Sequence, residues 1–400
     1  MIHRIVPGTA GADYLPPCEI KNHPHGICVK LNLCETKTTR MENQRCNAQH
    51  SGGIIKFPIF APIIYIGSMK KIKYWITAGM IGLMTDGCIS PDKAPLLPSW
   101  NDTEVRQRIE HFLLHQVQHI PIEDRIAVFD MDGTLVVERP FGIETVVSIH
   151  RLVARGASEP HLRQTVEYDF ARRLVANARD PYVYQHAYDH GQNYFENIIL
   201  KAFDGADAEA YVSFANHCLN TQRNPDYGLV YADMFYQPML ELIRALQDRN
   251  FEIFIVSASM QGLVWSICEQ VLGLDRNHLI GIRHRKEVCF TPDGKLSYRL
   301  KGEMMQPVNN YEGKILNIYD HIGKIPVVAV GNAYSDFGMF RLTSTNVHPN
   351  LSILLHHDDA DREYAYEPYT GTDICWQDTV KQYNWVQADM KTEFKTVWKK

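Results

Sequence analysis

The sequence has little charge imbalance and no repetition. Its 400 residues include 41 basic and 46 acidic side chains, a formal net charge of −5, so composition gives no reason to expect a nucleic-acid partner. Neither an internal repeat nor a low-complexity tract is present, which excludes a repeat architecture. With 45% apolar and 22% charged residues, the composition is typical of a soluble globular protein. The length fits one core domain with a second domain inserted into it.

Zinc-binding patterns are also missing. The HExxH motif is absent, and the cysteines near the start match no zinc motif. These early cysteines are Cys18, Cys28, Cys34 and Cys46. Others are scattered through the later part of the chain, namely Cys218, Cys268, Cys289 and Cys375. In an exported protein some of them could form disulfides, but their spacing does not specify the pairs.

No apolar run reaches the roughly 20 residues of a transmembrane helix. The run at residues 54–66 is interrupted by Pro58 and Pro62. The run at residues 74–84 is short, but a basic segment, residues 69–73, precedes it and Gly87 follows it. A basic start, a short apolar segment and a small residue before the cut are typical of a secretory signal. A buried helix or a single-span anchor is the alternative.

Residues 69–88 are therefore predicted to be a signal peptide. Met69 would then be the true initiator of translation. Residues 1–68, in which no helical or strand period persists, would be a non-native or disordered extension.

A short apolar run ends in two carboxylates. Residues 126–129 have the length and composition of a buried strand, Asp130 and Asp132 come next, and Gly133 and Thr134 have turn chemistry. In an open α/β sheet, ligands bind at the carboxyl ends of the strands. An isolated pair of acids in such a turn would more often be structural, so a functional interpretation needs support from later segments of the chain.

Three later segments complete a recognisable order. They are an apolar strand ending in Ser257, Lys314 in the segment YEGK, and an apolar strand running into Asn332 and Asp336. The order Asp-x-Asp-Gly-Thr, Ser, Lys and Gly-Asn-x-x-x-Asp resembles the four motifs of the haloacid dehalogenase superfamily, most closely its phosphoserine phosphatase branch. The flanking segments LPSWND (residues 97–102) and HHDDADREYAY (residues 356–366) resemble an exported bacterial group of phosphatase-like members.

The alternation of strand-like and helical segments predicts an α/β fold with a doubly wound, mainly parallel, Rossmann-like sheet. Residues 89–138 and 238–400 would form the core, and residues 139–237 a helical cap inserted between the first two motifs. Within the cap, one helix is expected to end at Gly156 and the next to run from Ser158 to Asp180-Pro181. The sequence Pro292-Asp293-Gly294-Lys295 predicts a hairpin.

The resemblance implies Mg²⁺-dependent hydrolysis of a phosphomonoester through an aspartyl-phosphate. Asp130 matches the family's nucleophile, and Asp132 its general acid and base. Thr134, Ser257 and Lys314 would bind the phosphate, with Lys301 a less favoured candidate for the lysine. The implied metal ligands are the Asp130 side chain, the Asp132 backbone carbonyl, and Asn332 and Asp336 of the fourth motif. Asn332 departs from the commonest motif, which has an acid there, so Asp336 becomes the expected principal carboxylate of that loop.

The substrate is expected to be a small phosphorylated metabolite. The branch commonly carries a substrate-binding Glu seven residues after the second Asp, but here Arg139 has that position and Glu138 precedes it. Phosphoserine, phosphocholine and a broad range of esters stay open. Aromatic and histidine residues of the cap could line a pocket for a quaternary ammonium, although packing is the commoner role of such residues. They are Tyr182, Tyr184, His186, Tyr188, His190, Tyr194 and Phe195. A non-catalytic envelope protein that binds phosphorylated ligands is the alternative function.

The expected location is the bacterial envelope. Gly87-Cys88 resembles a lipoprotein signal, whose cysteine is lipidated after cleavage, although the preceding Thr85 and Asp86 depart from that pattern. The protein would be periplasmic, or attached to the membrane through Cys88. Residues 356–359 end a strand at the same sheet edge and could border the pocket. A helix cap or a salt-bridge cluster in a loop is at least as good an interpretation, so they are left outside the catalytic set.

Overall fold

The computed structural model describes residues 96–368 and 375–399. The proposed extension, the signal segment and Cys88 lie outside these residues, so the statements about them stay predictions. The strands are β1 Ile126–Phe129, β2 Glu252–Met260, β3 Leu279–Ile282, β4 His284–Phe290, β5 Leu296–Met304, β6 Val328–Gly331, β7 Leu351–Asp358, β8 Ala365–Tyr366 and β9 Val386–Asp389.

The helices lie before, between and after these strands. They are α1 Glu104–His111, α2 Ile143–Ser158, α3 Val166–Ala176, α4 Pro181–His186, α5 Tyr194–Phe203, α6 Ala208–Thr221, α7 Gln237–Gln247, α8 Gln261–Val271, α9 Glu312–Ile322, α10 Phe337–Thr343, α11 Trp376–Gln382 and α12 Met390–Glu393. No helix within the described ranges is long and apolar enough to cross a membrane.

One sheet organises the molecule. Its strands follow the order β3-β2-β1-β6-β7, with β8 and β9 both paired to β7. Every pairing is parallel except that of β7 with β8. At the centre, Val128 of β1 lies opposite Phe254 of β2 and Ala329 of β6. This register brings the carboxyl ends of β1, β2 and β6 side by side.

The sheet is covered on both faces, because alternate residues of β1 enter two different cores. Ala127 and Phe129 pack in a core with residues of α7 and α8, such as Leu242 and Leu263. Ile126 and Val128 pack in a second core with residues of α9 and α10, such as Ile318 and Phe340. Successive side chains of a strand point to opposite faces. The predicted doubly wound, mainly parallel α/β sheet is confirmed.

Six helices, α2 to α7, lie between β1 and β2, and α2 packs against α3, α5 and α6. Their details differ from the predictions. Helix α2 continues past Gly156 to Ser158, and residues 160–164 form a separate 3₁₀ turn before Thr165 caps α3. Asp180 caps α4 instead of ending α3, because Asp before Pro is a start signal as well as a stop signal. The boundaries of a separate cap domain stay a prediction.

The predicted hairpin is confirmed. Strands β4 and β5 pair antiparallel in a sheet of their own, and the Thr291 N–H donates to the Lys295 carbonyl oxygen (2.8 Å) across the turn. Gly294 has φ +80° there, a conformation that glycine adopts without steric cost.

Candidate active site

Asp130, Lys314 and Asp336 form a buried ion-pair cluster. The Lys314 ammonium donates to Asp130 Oδ1 at 2.6 Å and to Asp336 Oδ1 at 2.7 Å. The side chain of Lys314 is 1% exposed, and those of Asp130 and Asp336 are 9% and 0% exposed. A charge so removed from water has to be paired. The structure therefore brings three of the predicted site residues into direct contact.

Burial and mutual charge shift the protonation of this cluster. Burial raises the pKa of Asp130 and the charge of Asp336 raises it further, while the ammonium of Lys314 opposes both. Burial alone would lower the pKa of Lys314, but the charges of Asp130 and Asp336 outweigh burial and hold that pKa above its usual value. Lys314 is consequently a permanent cation beside Asp130.

Local packing selects Lys314 over its rival. Lys314 lies in the first turn of α9 after Gly313, where a Cβ atom would come within 1.7 Å of the Val308 carbonyl oxygen. Lys301 lies on β5 and pairs instead with Glu287 at 2.8 Å. Of the two candidate lysines, the one in YEGK reaches Asp130, and its role in binding phosphate stays a prediction.

Asp132 has a different environment. Its Oδ2 accepts from the Ser259 hydroxyl at 2.7 Å and from the Ser257 hydroxyl at 3.4 Å. Its Oδ1 is buried and has no hydrogen-bond partner in the part of the chain that the structure describes. Burial raises the pKa of Asp132 to about 6, although the bond from Ser259 opposes the shift. Such a carboxyl group can hold a proton near neutrality and also release it.

Ser259 was not predicted as a site residue. Ser257 and Ser259 are two residues apart on β2, so their side chains share one side of the strand. Ser257 Oγ also accepts from the Ser259 N–H at 3.0 Å. The repeated small hydroxyl residues in Ser-Ala-Ser were the signal that could have identified Ser259.

Thr134 and Asn332 connect the first and fourth motifs. The Thr134 hydroxyl lies 3.1 Å from Asn332 Oδ1 and 3.3 Å from Asp130 Oδ2. Gly133, which precedes Thr134, has φ +70°, and a Cβ atom on it would meet Asn332 Nδ2 at 2.1 Å. Only glycine fits both the conformation and the space. The predicted phosphate-binding Thr134 is thus fully buried against the nucleophile candidate.

Asp336 is saturated by donors of the chain. Besides the bond from Lys314, its Oδ2 accepts from the N–H groups of Asn332 and Ala333, each at 3.0 Å. Asp336 therefore positions Lys314 and the loop after β6. Its role as principal metal carboxylate stays a prediction, and these contacts do not favour it.

Glu138 is a further acid that the predicted site omitted. Its Oε1 accepts from Asn332 Nδ2 at 3.0 Å, and its charge adds to the burial that raises the pKa of Asp132. The sequence showed Glu138 only as the neighbour of an expected substrate-binding position. Nothing in the local pattern placed it against the fourth motif.

Glu144 of α2 is a second buried acid near Asp132. It accepts from the Tyr211 hydroxyl of α6 at 2.6 Å, from Ser148 at 3.1 Å and from the Met260 N–H at the end of β2 at 3.1 Å. Burial raises the pKa of Glu144 to about 7. Glu144 therefore fastens two helices of the inserted segment to the second-motif strand.

The segment after β7 supports the first-motif loop from behind. His357 Nε2 donates to the Gly133 carbonyl oxygen at 2.7 Å, its Nδ1 lies 3.0 Å from Glu363, and Tyr366 stacks on its ring at 4.3 Å. His356 points elsewhere, 2.7 Å from Asp389. His357 thus positions the backbone next to the motif-one acids.

The cap aromatics include several exposed side chains. Tyr182, Tyr184 and Tyr188 are 45%, 41% and 64% exposed. His186 stacks on Tyr182 at 4.3 Å, and Tyr184 and Tyr188 both contact Phe195. Their role in substrate binding stays a prediction.

The donor set fits a divalent cation. Lys314 bonds to the carboxylates of Asp130 and Asp336, Glu138 bonds to Asn332, and Asp132 interacts electrostatically with Asp130 and Glu138. The buried Oδ1 of Asp132, which has no hydrogen-bond partner among the described residues, could accept a proton or a hydrogen-bond donor. Oxygen donors of this kind are those that Mg²⁺ prefers.

Comparison with known protein families gives a match across this site. The family model of haloacid dehalogenase-like hydrolases matches residues 127–341. No curated relative matches the chain. Among solved structures, a functionally unknown protein from Anaerococcus prevotii is 16% identical over 72% of this chain and 91% of its own, with a TM-score of 0.45. A phosphoserine phosphohydrolase-like protein from Francisella tularensis is 15% identical over 58% of this chain and 87% of its own, with a TM-score of 0.32.

Proposed function

Because the chain belongs to the haloacid dehalogenase-like hydrolases, we propose that it is a phosphomonoesterase that acts through an aspartyl-phosphate on a small phosphorylated metabolite. The observation that carries the proposal is the pairing of Asp130 with Lys314 at 2.6 Å, beside a second carboxyl group, Asp132, of raised pKa. One acid is held by a cation and the other can hold a proton. This division of roles suits a nucleophile and a general acid.

In the first step, a carboxylate oxygen of Asp130 forms a bond to phosphorus as the bond from phosphorus to the ester oxygen breaks. Protonated Asp132 gives its proton to the leaving oxygen, so the product is a neutral alcohol. In the second step, Asp132 takes a proton from water, whose oxygen attacks phosphorus and releases Asp130 and phosphate. Lys314 and the Ser257 hydroxyl would stabilise the charge on the phosphoryl oxygens in both steps.

Mg²⁺ is the cofactor of this proposal. When bound, it would neutralise charge shared by Asp130 and the phosphoryl group. Asp130, Asp132 and Asn332 are the chain's candidate donors, with Asp336 retained from the sequence prediction. Arg139 and the cap tyrosines would form the edge of the substrate pocket. Their contacts would decide whether the substrate is phosphoserine, phosphocholine or a range of esters.

The test is hydrolysis of p-nitrophenyl phosphate with and without Mg²⁺. Asp130→Asn should lower kcat by about a thousandfold or more, because an amide is not a nucleophile. Asp248→Asn is the matched control, since Asp248 is exposed at the end of α7 and should leave the rate unchanged. After the reaction is quenched with acid, mass spectrometry should detect covalently bound phosphate on the Asp132→Asn variant but not on the Asp130→Asn variant. Full activity of Asp130→Asn would refute the mechanism, and phosphate-ligand binding without turnover would favour the non-catalytic alternative.

We further propose that the enzyme is exported and works in the bacterial envelope. The support is the basic-apolar-small pattern of residues 69–88. Mass spectrometry of the protein made from the native gene should find no peptide from residues 1–68 in the mature species. A mature protein that retains those residues would contradict the signal, and an unmodified Cys88 would contradict lipidation.

A further inference from the structure

Asn332 places a neutral amide where the commonest form of the fourth motif has a carboxylate for the proposed cation. It follows β6, next to the loop that holds Asp130 and Asp132, and it is 2% exposed. A neutral amide oxygen can coordinate Mg²⁺ but does not balance its charge. Asp336 does not replace that charge freely, because both its oxygens already accept hydrogen bonds from the chain.

We propose that Glu138 supplies the carboxylate charge that Asn332 lacks, and so sets the affinity of the site for Mg²⁺. The inference rests on the proposed function, whose metal it concerns. Glu138 Oε1 accepts from Asn332 Nδ2 at 3.0 Å. The negative charge therefore lies beside the Asn332 side chain, but it comes from the loop after β1 instead of the loop after β6.

The backbone of the first motif is shaped to allow this contact. The Gly133 N–H donates to the Val136 carbonyl oxygen at 2.8 Å, and the Val137 N–H donates to the Met234 carbonyl oxygen at 3.2 Å. These bonds fold the loop back so that Glu138 returns to the site. A Cβ atom on Gly133 would lie 2.7 Å from Glu138 Oε1, so the glycine leaves the space that the carboxylate fills.

The basic residue that follows Glu138 in the sequence does not neutralise its charge. The guanidinium of Arg139 stacks on Tyr366 at 4.3 Å, and no salt bridge within the described ranges joins it to Glu138. A divalent cation shared with Asp130 and Asp132 would compensate the remaining negative charge.

Calorimetric titration of the purified protein with MgCl₂, in the absence of substrate, tests the inference. Glu138→Gln keeps the shape of the side chain and should weaken Mg²⁺ binding by roughly 10–100-fold, the range for groups that support metal ligands. Asp248→Asn removes one charge at an exposed position and should bind Mg²⁺ as the wild type does. Thermal melting confirms that each variant is folded.

Asn332→Asp provides the reciprocal test. Placed in the Glu138→Gln background, it restores a carboxylate to this part of the site and should recover most of the lost affinity for Mg²⁺. Wild-type affinity in Glu138→Gln, or a double variant as weak as the single one, would overturn the role of Glu138. The proposed function would survive that result if Mg²⁺ still bound and Asp130→Asn were still inactive. A wild-type protein that binds no Mg²⁺ would overturn both.

Discussion

Among individual residues, Lys314 shows how one cation can define a site. Its ammonium touches two carboxylates and is almost completely removed from water. The importance of such a group appears when it is removed, because two buried carboxylates would then face each other without a counter-charge.

Lys314→Met should therefore lower the free energy of unfolding by about 3–5 kcal/mol, measured by urea denaturation, and abolish hydrolysis. Lys301→Met is the control. Its ion pair with Glu287 is partly exposed, so its loss should cost at most about 1 kcal/mol and spare activity. Equal effects of the two substitutions would show that Lys314 has no special place in the cluster.

Asp132 offers a test through pH. Burial raises its pKa to about 6, and the Ser259 hydroxyl opposes that shift by bonding to the charged carboxylate. Ser259→Ala removes this donor, so the pKa should rise. Because the first step needs protonated Asp132, the alkaline limb of the kcat/KM profile should move to higher pH. Ser266→Ala, whose hydroxyl bonds to Leu263 within α8, should not move it. A shift to lower pH would exclude Asp132 as the acid.

Among the secondary-structure elements, α9 delivers Lys314 to the site. The helix begins at Glu312, and Gly313 packs against the Val308 carbonyl oxygen without room for a Cβ atom. Nearby, Asn309 donates from Nδ2 to the carbonyl oxygens of Ser257 (2.7 Å) and Ile280 (3.0 Å). The loop before α9 is thus attached to the second-motif strand.

Gly313→Ala should displace the first turn of α9, because a backbone carbonyl cannot move aside as a flexible side chain can. We expect a loss of about 1–3 kcal/mol in the free energy of unfolding and a large fall in kcat as Lys314 leaves Asp130. Gly302→Ala is the control, since a Cβ atom there meets Asp204 at an ordinary 3.5 Å. Normal melting and activity of Gly313→Ala would mean that α9 tolerates the shift.

Over the entire fold, acids of raised pKa couple stability to pH. The pKa of Asp132 is about 6 in the folded protein, against an ordinary value of 3.8. Between these values the folded state binds more protons than the unfolded state. The contribution of Asp132 to stability therefore falls as pH rises through this window.

Bound Mg²⁺ should compensate for this fall in the stability of the folded protein. We expect it to raise Tm, and to raise it more at about pH 7.5 than at about pH 5.5, since protons compete with the cation for the carboxylates that surround it. At a concentration about 100 times Kd, binding adds about 2.7 kcal/mol to the stability. Differential scanning fluorimetry at the two pH values measures both effects, and EDTA-treated protein is the reference. A Tm that does not respond to Mg²⁺ would argue against a metal site in the folded protein.

The fold class and most of the cluster could be predicted from the order of residues. Buried strands ending in polar turns identified β1, β2 and β6, and parallel strands align their carboxyl ends in one sheet. The contact of Asp130 with Lys314 followed from the order of the motifs, although the two residues are 184 positions apart. Local periodicity served less well between β1 and β2, where helices α4 and α5 were not predicted.

Packing in three dimensions was needed to show which loops meet and which groups surround each acid. Asn332 and Glu138 are 194 positions apart, and no local pattern encodes their contact. No local pattern encodes the contact of Ser259 with Asp132 either. Nor does one show that the oxygens of Asp336 accept hydrogen bonds from the chain itself. Hydrophobic spacing records which side of a strand is buried, whereas the charge balance of a site depends on distances between side chains that only the packed chain brings together.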